Sequence, residues 1–310
     1  MPLRRRPTTT RRARRKYTRR SSRPSRGRMQ TSRWRKRPTK TRTRKSILNL
    51  TATKKRATML IATNTTYTTP SGGSTYTSLD AIMQADRTYL FPWICTWRDN
   101  SRQGTKYDTA VRTASTCYMR GLKERIRLTT NDGTQWLWRR VCFTWRGSEL
   151  FQQSQTGATY ALQTGTAPGL TFNRVVNDFN NLTSTPGVAA RNALIGLIFK
   201  GAAGIDWTNY FSAPIDTDLV TLKYDKTTSL ASGNQNGKQI VFNRWHPMNK
   251  NLTYADDESG ELTTPAGAST RAKKGMGDYY VIDMFTNATP QNANSALAFA
   301  PEATLYWHEK

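Results

Sequence analysis

No carboxylate occurs before Asp80, yet residues 1–56 carry 24 lysines and arginines. A segment of one charge sign with little apolar content repels itself and cannot collapse, so residues 1–56 are expected to form a disordered arm unless a polyanion neutralises them. Residues 57–310 hold the other 24 basic side chains together with all 20 acids, which leaves them near balance at +4. They also hold 8 of the 9 tryptophans. That half of the pattern describes a chain able to fill a core, so two physically different parts are joined at about residue 56.

The arm's charges are clustered, and arginine dominates. The clusters are Arg4, Arg5 and Arg6; Arg11, Arg12, Arg14, Arg15, Lys16, Arg19 and Arg20; Arg33, Arg35, Lys36 and Arg37; then Lys40, Arg42, Arg44 and Lys45. A planar guanidinium donates two parallel hydrogen bonds to a phosphate where an ammonium acts as a point charge, so the preference suits nucleic acid. Trp34 stands inside one cluster, where it is available to stack on an unpaired base. The run Arg11, Arg12, Arg14, Arg15 and Lys16 also fits a nuclear import signal read by host import receptors.

Several functions are disfavoured by what is missing. The longest aliphatic run, Ala193–Phe199, is too short for a membrane span, so no membrane association is expected. Cys95, Cys117 and Cys142 are odd in number and widely spaced, and they read as buried free thiols. With His246 and His308 as the only histidines, neither a zinc finger nor an HExxH site can be built. Residues 233–239 (GNQNGKQ) are one spacer short of a phosphate loop and read as a turn. Asp256, Asp257, Glu258 and Glu261 form an acidic group that reads as a solvated loop, with a hard cation or a basic neighbour as alternatives. No cofactor, metal or enzymatic activity is expected.

From residue 57 onward, β-branched and aromatic residues recur in short segments split by Gly, Pro, Asn and Asp. Strands are expected at 58–68, 89–97, 116–130, 135–146, 195–200, 219–224, 239–245, 278–285 and 304–308, with short helices at 78–85 and 170–180. Asn131-Asp132-Gly133-Thr134 has the residues of a tight turn, which predicts a hairpin between the strands on either side. Eight or nine strands in one body point to a two-sheet sandwich or barrel.

Within 121–130 (GLKERIRLTT), strict alternation places Leu122, Glu124, Ile126 and Leu128 on one face and Lys123, Arg125 and Arg127 on the other. The cationic row is either a floor for nucleic acid or the polar face of an ordinary strand. Across the turn, Leu137, Val141, Phe143 and Trp145 share an apolar face, with Trp136 and Trp138 opposite beside Arg140. Tryptophans there call for cover, by a neighbouring subunit or by a long loop.

The Arg- and Thr-rich arm, residues 114–147 (ASTCYMRGLKERIRLTTNDGTQWLWRRVCFTWRG) and a Thr-rich body ending at Trp307 together resemble the capsid proteins of genomoviruses, small viruses with circular single-stranded DNA. The resemblance spans the chain, and 114–147 is its most specific part. It implies an eight-stranded jelly roll, a virion shell of 60 copies with T=1 geometry, assembly in the host nucleus, and a single-stranded DNA genome as cargo. The rival expectation is a cellular nucleic-acid-binding protein of ribosomal type with a basic extension, against which the tryptophan content argues.

Overall fold

The computed structural model describes residues 43–100, 105, 107–147, 150, 158–165, 171–287 and 293–310. Met1–Thr43 and Arg44–Lys310 separate as two units, and the second carries the fold. It opens with helix α1 (Arg44–Thr51) and strand β1 (Thr53–Met59). Seven further long strands follow: β2 (Tyr89–Ile94), β3 (Thr116–Thr130), β4 (Trp136–Trp145), β5 (Thr221–Leu230), β6 (Gln239–Thr253), β7 (Asp278–Asn287) and β8 (Ala296–Glu309). A second helix, α2 (Thr185–Ile198), lies in the connection from β4 to β5.

The eight strands divide into two antiparallel sheets, β1-β8-β3-β6 and β5-β4-β7-β2. Except at the step from β4 to β5, each strand hands the chain to the other sheet, and the resulting orders are those of a jelly roll, two Greek keys wrapped into a sandwich. A short strand, Ala81–Gln84, extends the first sheet at the start of β8. Long-range pairing of this kind closes the sandwich late, because loop entropy must be overcome before the sheets reward it.

Turn chemistry alone misplaces one connection. Residues 131–134 do form a tight turn, with Asp132 accepting from Thr134 N–H at 2.9 Å. The flanking strands do not pair with each other, however: β3 pairs with β8 and β6, and β4 with β5 and β7. The turn is a corner between sheets, and the expected hairpin is absent. Both flanking strands find longer partners elsewhere, which a two-strand ribbon cannot match.

Both faces of β4 are buried, which corrects the expectation that its tryptophans lie outside. Trp136 and Trp138 point between the sheets and meet Ile126, Leu128, Phe285 and Phe299. Val141 and Phe143 point away from the sandwich and are covered by α2 through Ala190, Leu194 and Ile198. The cover therefore comes from the β4–β5 connection, and a strand clothed on both sides is apolar on both. Local sequence read α2 partly as a strand at 195–200, because its β-branched and aromatic residues suit either state. What makes it a helix is Ser184 at the N-cap, whose Oγ accepts from Gly187 N–H at 3.2 Å, with Pro186 in the first turn. The buried residues recur at 187, 190, 194 and 198, one face of a helix.

The two expected helices are strands. Residues 78–85 contain Ala81–Gln84, and 170–180 contain Thr171–Phe172 and Arg174–Val176. Arg174–Val176 runs parallel to Ile61–Thr63, and this pairing carries Arg174 into the core. The acidic group is likewise not a simple loop. Asp257–Ser259 pairs with Leu262–Thr264, and Asp256 is bonded to Arg112 at 2.6 and 2.9 Å with its side chain 3% exposed. All three cysteines are free and buried. Among the described residues, no helix is long and apolar enough to cross a membrane.

Asp178 and Asp278 are buried carboxyls that have no cationic partner at bonding distance among the described residues. Asp178 accepts from Leu90 N–H and Asn180 N–H at 3.0 Å, and Asp278 from Ser269 N–H at 2.7 Å. Burial pushes both up to about 6 against these hydrogen bonds. A raised carboxyl keeps its proton in the folded state after the unfolded chain has released it. Its stabilising contribution is therefore complete below about pH 4 and is lost as pH rises through about 6. Relative to Asp178→Asn, the wild type is expected to lose about 3 kcal/mol between those limits, read from urea midpoints of both proteins. Parallel pH profiles for the two would show that Asp178 titrates normally.

Candidate nucleic-acid interface

Among the arm's candidate residues, Arg4, Arg5, Arg6, Arg11, Arg12, Arg14, Arg15, Lys16, Arg19, Arg20, Arg33, Trp34, Arg35, Lys36, Arg37, Lys40 and Arg42 lie outside the described residues. Arg44 and Lys45 fall on the backbone of α1. The last charges assigned to the arm belong to the body: Lys54, Lys55 and Arg56 are in β1, paired in register with His308, Trp307 and Tyr306 of β8. The folded part thus starts about twelve residues before the composition shift, because a strand with alternate faces can dispose of alternate charges.

Lys55 shows how. It points inward, bonded to Glu309 at 3.0 Å, to Val111 C=O at 2.8 Å and to Thr113 Oγ1 at 3.0 Å. Glu309 also accepts from Trp307 Nε1–H at 2.7 Å. Burial alone would raise the Glu309 carboxyl, but the hydrogen bonds from Thr113, Trp307 and Lys55 outweigh it and hold it below the usual range. Lys54 and Arg56 project to the other side and are exposed.

They join the row expected from alternation. Lys123, Arg125 and Arg127 are exposed on the outer face of the first sheet, while Leu122, Glu124, Ile126 and Leu128 are buried behind it. Arg127 is engaged by Asp80 through two hydrogen bonds of 2.7 and 3.0 Å, with both side chains substantially exposed. Glu302 stands opposite Arg125 in register. Among the described residues, neither Lys123 nor Arg125 has a carboxylate within ion-pair distance. Arg120, Lys54 and Arg56 add to the same face, and sequence reasoning missed Arg120 because a bulge interrupts the alternation between it and Lys123. His308 reports the local field. Burial, then Arg120 and Lys54, hold its imidazole below the ordinary histidine range.

Glu124, the acid that alternates with Lys123 and Arg125 along β3, is turned inward, which leaves the outward positions of that strand cationic. Glu124, Arg140, Arg174 and Asp283 form a buried cluster between the sheets. Arg140 donates to both Asp283 oxygens at 2.8 Å and to Glu124. Arg174 donates to Asp283 at 2.6 Å and to Glu124 at 3.2 Å, and lies over the Trp93 ring at 4.3 Å. Trp138 Nε1–H donates to Asp283 at 2.8 Å. His246, 3.7 Å from Glu124, is pushed down to about 4 by burial against the opposing pull of Glu124, so it is neutral at physiological pH. Two cations and two anions balance there. Nothing in the sequence marked Arg174 as their fourth member, since its place depends on the parallel pairing at 61–63.

This arrangement gathers Lys54, Arg56, Arg120, Lys123, Arg125 and Arg127 on one sheet face, with the imidazole of His308 beside Lys54. A scan against protein-family models finds no match for the chain, and a search of curated proteins finds no similar sequence. The class that the coordinates define is therefore a fold class, an all-β jelly-roll sandwich.

Proposed function

We propose that this chain is a viral capsid protein of genomovirus type, which assembles into a closed T=1 shell and packages circular single-stranded DNA through its N-terminal arm. The observation that carries this reading is the union of a jelly roll with a leading segment of 24 cations and no acid. A sandwich of this kind offers blunt edges and corner loops for lateral contacts, and the arm supplies counterions for a condensed polyanion. Sixty copies of residues 1–43, with 19 cations each, would carry about 1,100 positive charges, matching on the order of a thousand phosphates if each cation meets one. Single strands suit such a cargo because duplex DNA is stiff over about 150 base pairs. Sequence specificity is weak, since phosphate contacts position without reading bases. The arm's clusters also serve nuclear import, placing assembly in the nucleus and the product in the virion. The protein acts as a structural component and not as an enzyme.

Electron microscopy and mass measurement of the purified full-length protein test the reading. The expected result is uniform closed particles containing about 2.1 MDa of protein, sixty times 35.1 kDa, together with DNA. Monomers that bind RNA without forming shells would instead establish the cellular nucleic-acid-binding alternative.

A further inference from the structure

The outer face of the first sheet also carries an aromatic plate that the cationic row does not account for. Trp245 of β6 stands opposite Lys123 of β3 in register and is 49% exposed, an unusual state for the largest apolar side chain. Its ring lies across Gly121, where a Cβ would come 2.7 Å from Trp245 Cζ2 and 2.6 Å from His246 C=O. Gly121 has φ +156°, so both its backbone and its missing side chain make room for the indole. On the far side the indole meets Tyr306 of β8, with ring centroids 5.8 Å apart and tilted by 57°. Tyr306 in turn is paired with Arg56 of β1. An indole is thus supported from below and from one flank while its remaining surface is exposed, with Lys123 opposite it in register and Arg125 two positions further along β3.

We infer that Trp245, backed by Gly121 and Tyr306, is a stacking platform for one unpaired base of single-stranded DNA, whose flanking phosphates are met by Lys123 and Arg125. This deepens the packaging reading and rests on it. Base stacking on an aromatic plate combined with a cationic groove is the chemistry of sequence-tolerant single-strand binding, and a duplex presents no free base face to it. A protein partner fits less well, because the centres of protein interfaces are depleted of charges such as Lys123, the cross-strand neighbour of Trp245.

The test uses the full chain and a thymidine oligonucleotide carrying 5-bromodeoxyuridine, photo-cross-linked and mapped by mass spectrometry. The expected adduct falls on the tryptic peptide 245–250 (WHPMNK), and the same oligonucleotide annealed to its deoxyadenosine complement does not form it. At high salt, where phosphate contacts are screened, Trp245→Ala is expected to bind the oligonucleotide about tenfold more weakly than wild type, and Trp245→Phe to recover most of the loss. An unchanged thermal midpoint for Trp245→Phe separates this from a folding defect. Adducts confined to residues 1–43 would overturn the platform while leaving packaging by the arm intact. A full chain that captures no DNA under any salt condition would overturn the packaging reading, and the platform with it.

Discussion

Deleting residues 1–43 is expected to leave a folded jelly roll that no longer retains DNA at moderate salt. The cut removes 19 of the arm's 24 cations and stops where the compact unit begins. For single strands, the logarithm of affinity falls with the logarithm of salt by about 0.7 per phosphate neutralised. If only ten of the lost cations met phosphates, the slope would shrink by about 7 and affinity at moderate salt by several orders of magnitude. The outer face of the first sheet, with Lys123 and Arg125, would keep a weak residual contact. Filter binding across a salt series reads both quantities. Undiminished binding by the truncated protein would show that the body, not the arm, holds the nucleic acid.

The position of the cut decides the outcome. Removing residues 1–56 instead takes away the first four residues of β1, Thr53–Arg56, with their pairing to β8, and Lys55 with them, which would leave Glu309 buried without its cation. That longer truncation is expected to fail to fold, although it removes only five more charges. Circular dichroism of the two proteins distinguishes them, and equal folding would place β1 outside the stable body.

The second large effect lies in the buried cluster. Arg174→Met removes one of two cations that share Glu124 and Asp283, leaving two carboxylates with only Arg140 between them. Removing one partner of a buried ion pair costs about 3–5 kcal/mol, because the remaining charge loses its compensation while staying desolvated. Glu124 is left with a single guanidinium donor, Arg140, whereas Asp283 keeps two bonds from Arg140 and one from Trp138. Burial would raise the Asp283 carboxyl, but Arg140 and Arg174 hold it below the usual range. A depressed carboxyl stabilises the fold above its unfolded value and withdraws that contribution as pH falls through the folded one, so the wild type is expected to weaken in acid through Asp283 and Glu309. Urea unfolding of Arg174→Met at neutral pH measures the loss. A change under about 1 kcal/mol would mean that the cluster tolerates an uncompensated charge, and the account of it would fail. Replacing all four members by apolar residues of similar volume is expected to cost far less than the single change.

The alternation in 121–130 was legible because the side-chain period of a strand is two, and Leu122, Ile126 and Leu128 form an apolar face that Glu124 shares, opposite Lys123, Arg125 and Arg127. The same logic failed for β4, where both faces are apolar and periodicity has nothing to distinguish. It failed for residues 131–134 too: the turn residues fixed a local reversal but not which strands would pair after it. Trp245 was visible as a strand residue, yet its exposure depends on Gly121, more than 120 positions away.

Composition and order alone set the division into a cationic leader and a near-neutral β body, because net charge and the absence of acids are properties of the chain before any contact is made. They also set the Arg-rich chemistry of the leader. The allocation of strands to two sheets, the helix that covers β4, the inward turn of Lys55 and the assembly of Glu124, Arg140, Arg174 and Asp283 were decided only in three dimensions. Each depends on pairings between segments far apart in the chain, whose free energy comes from burying surface and compensating charge that no local window contains.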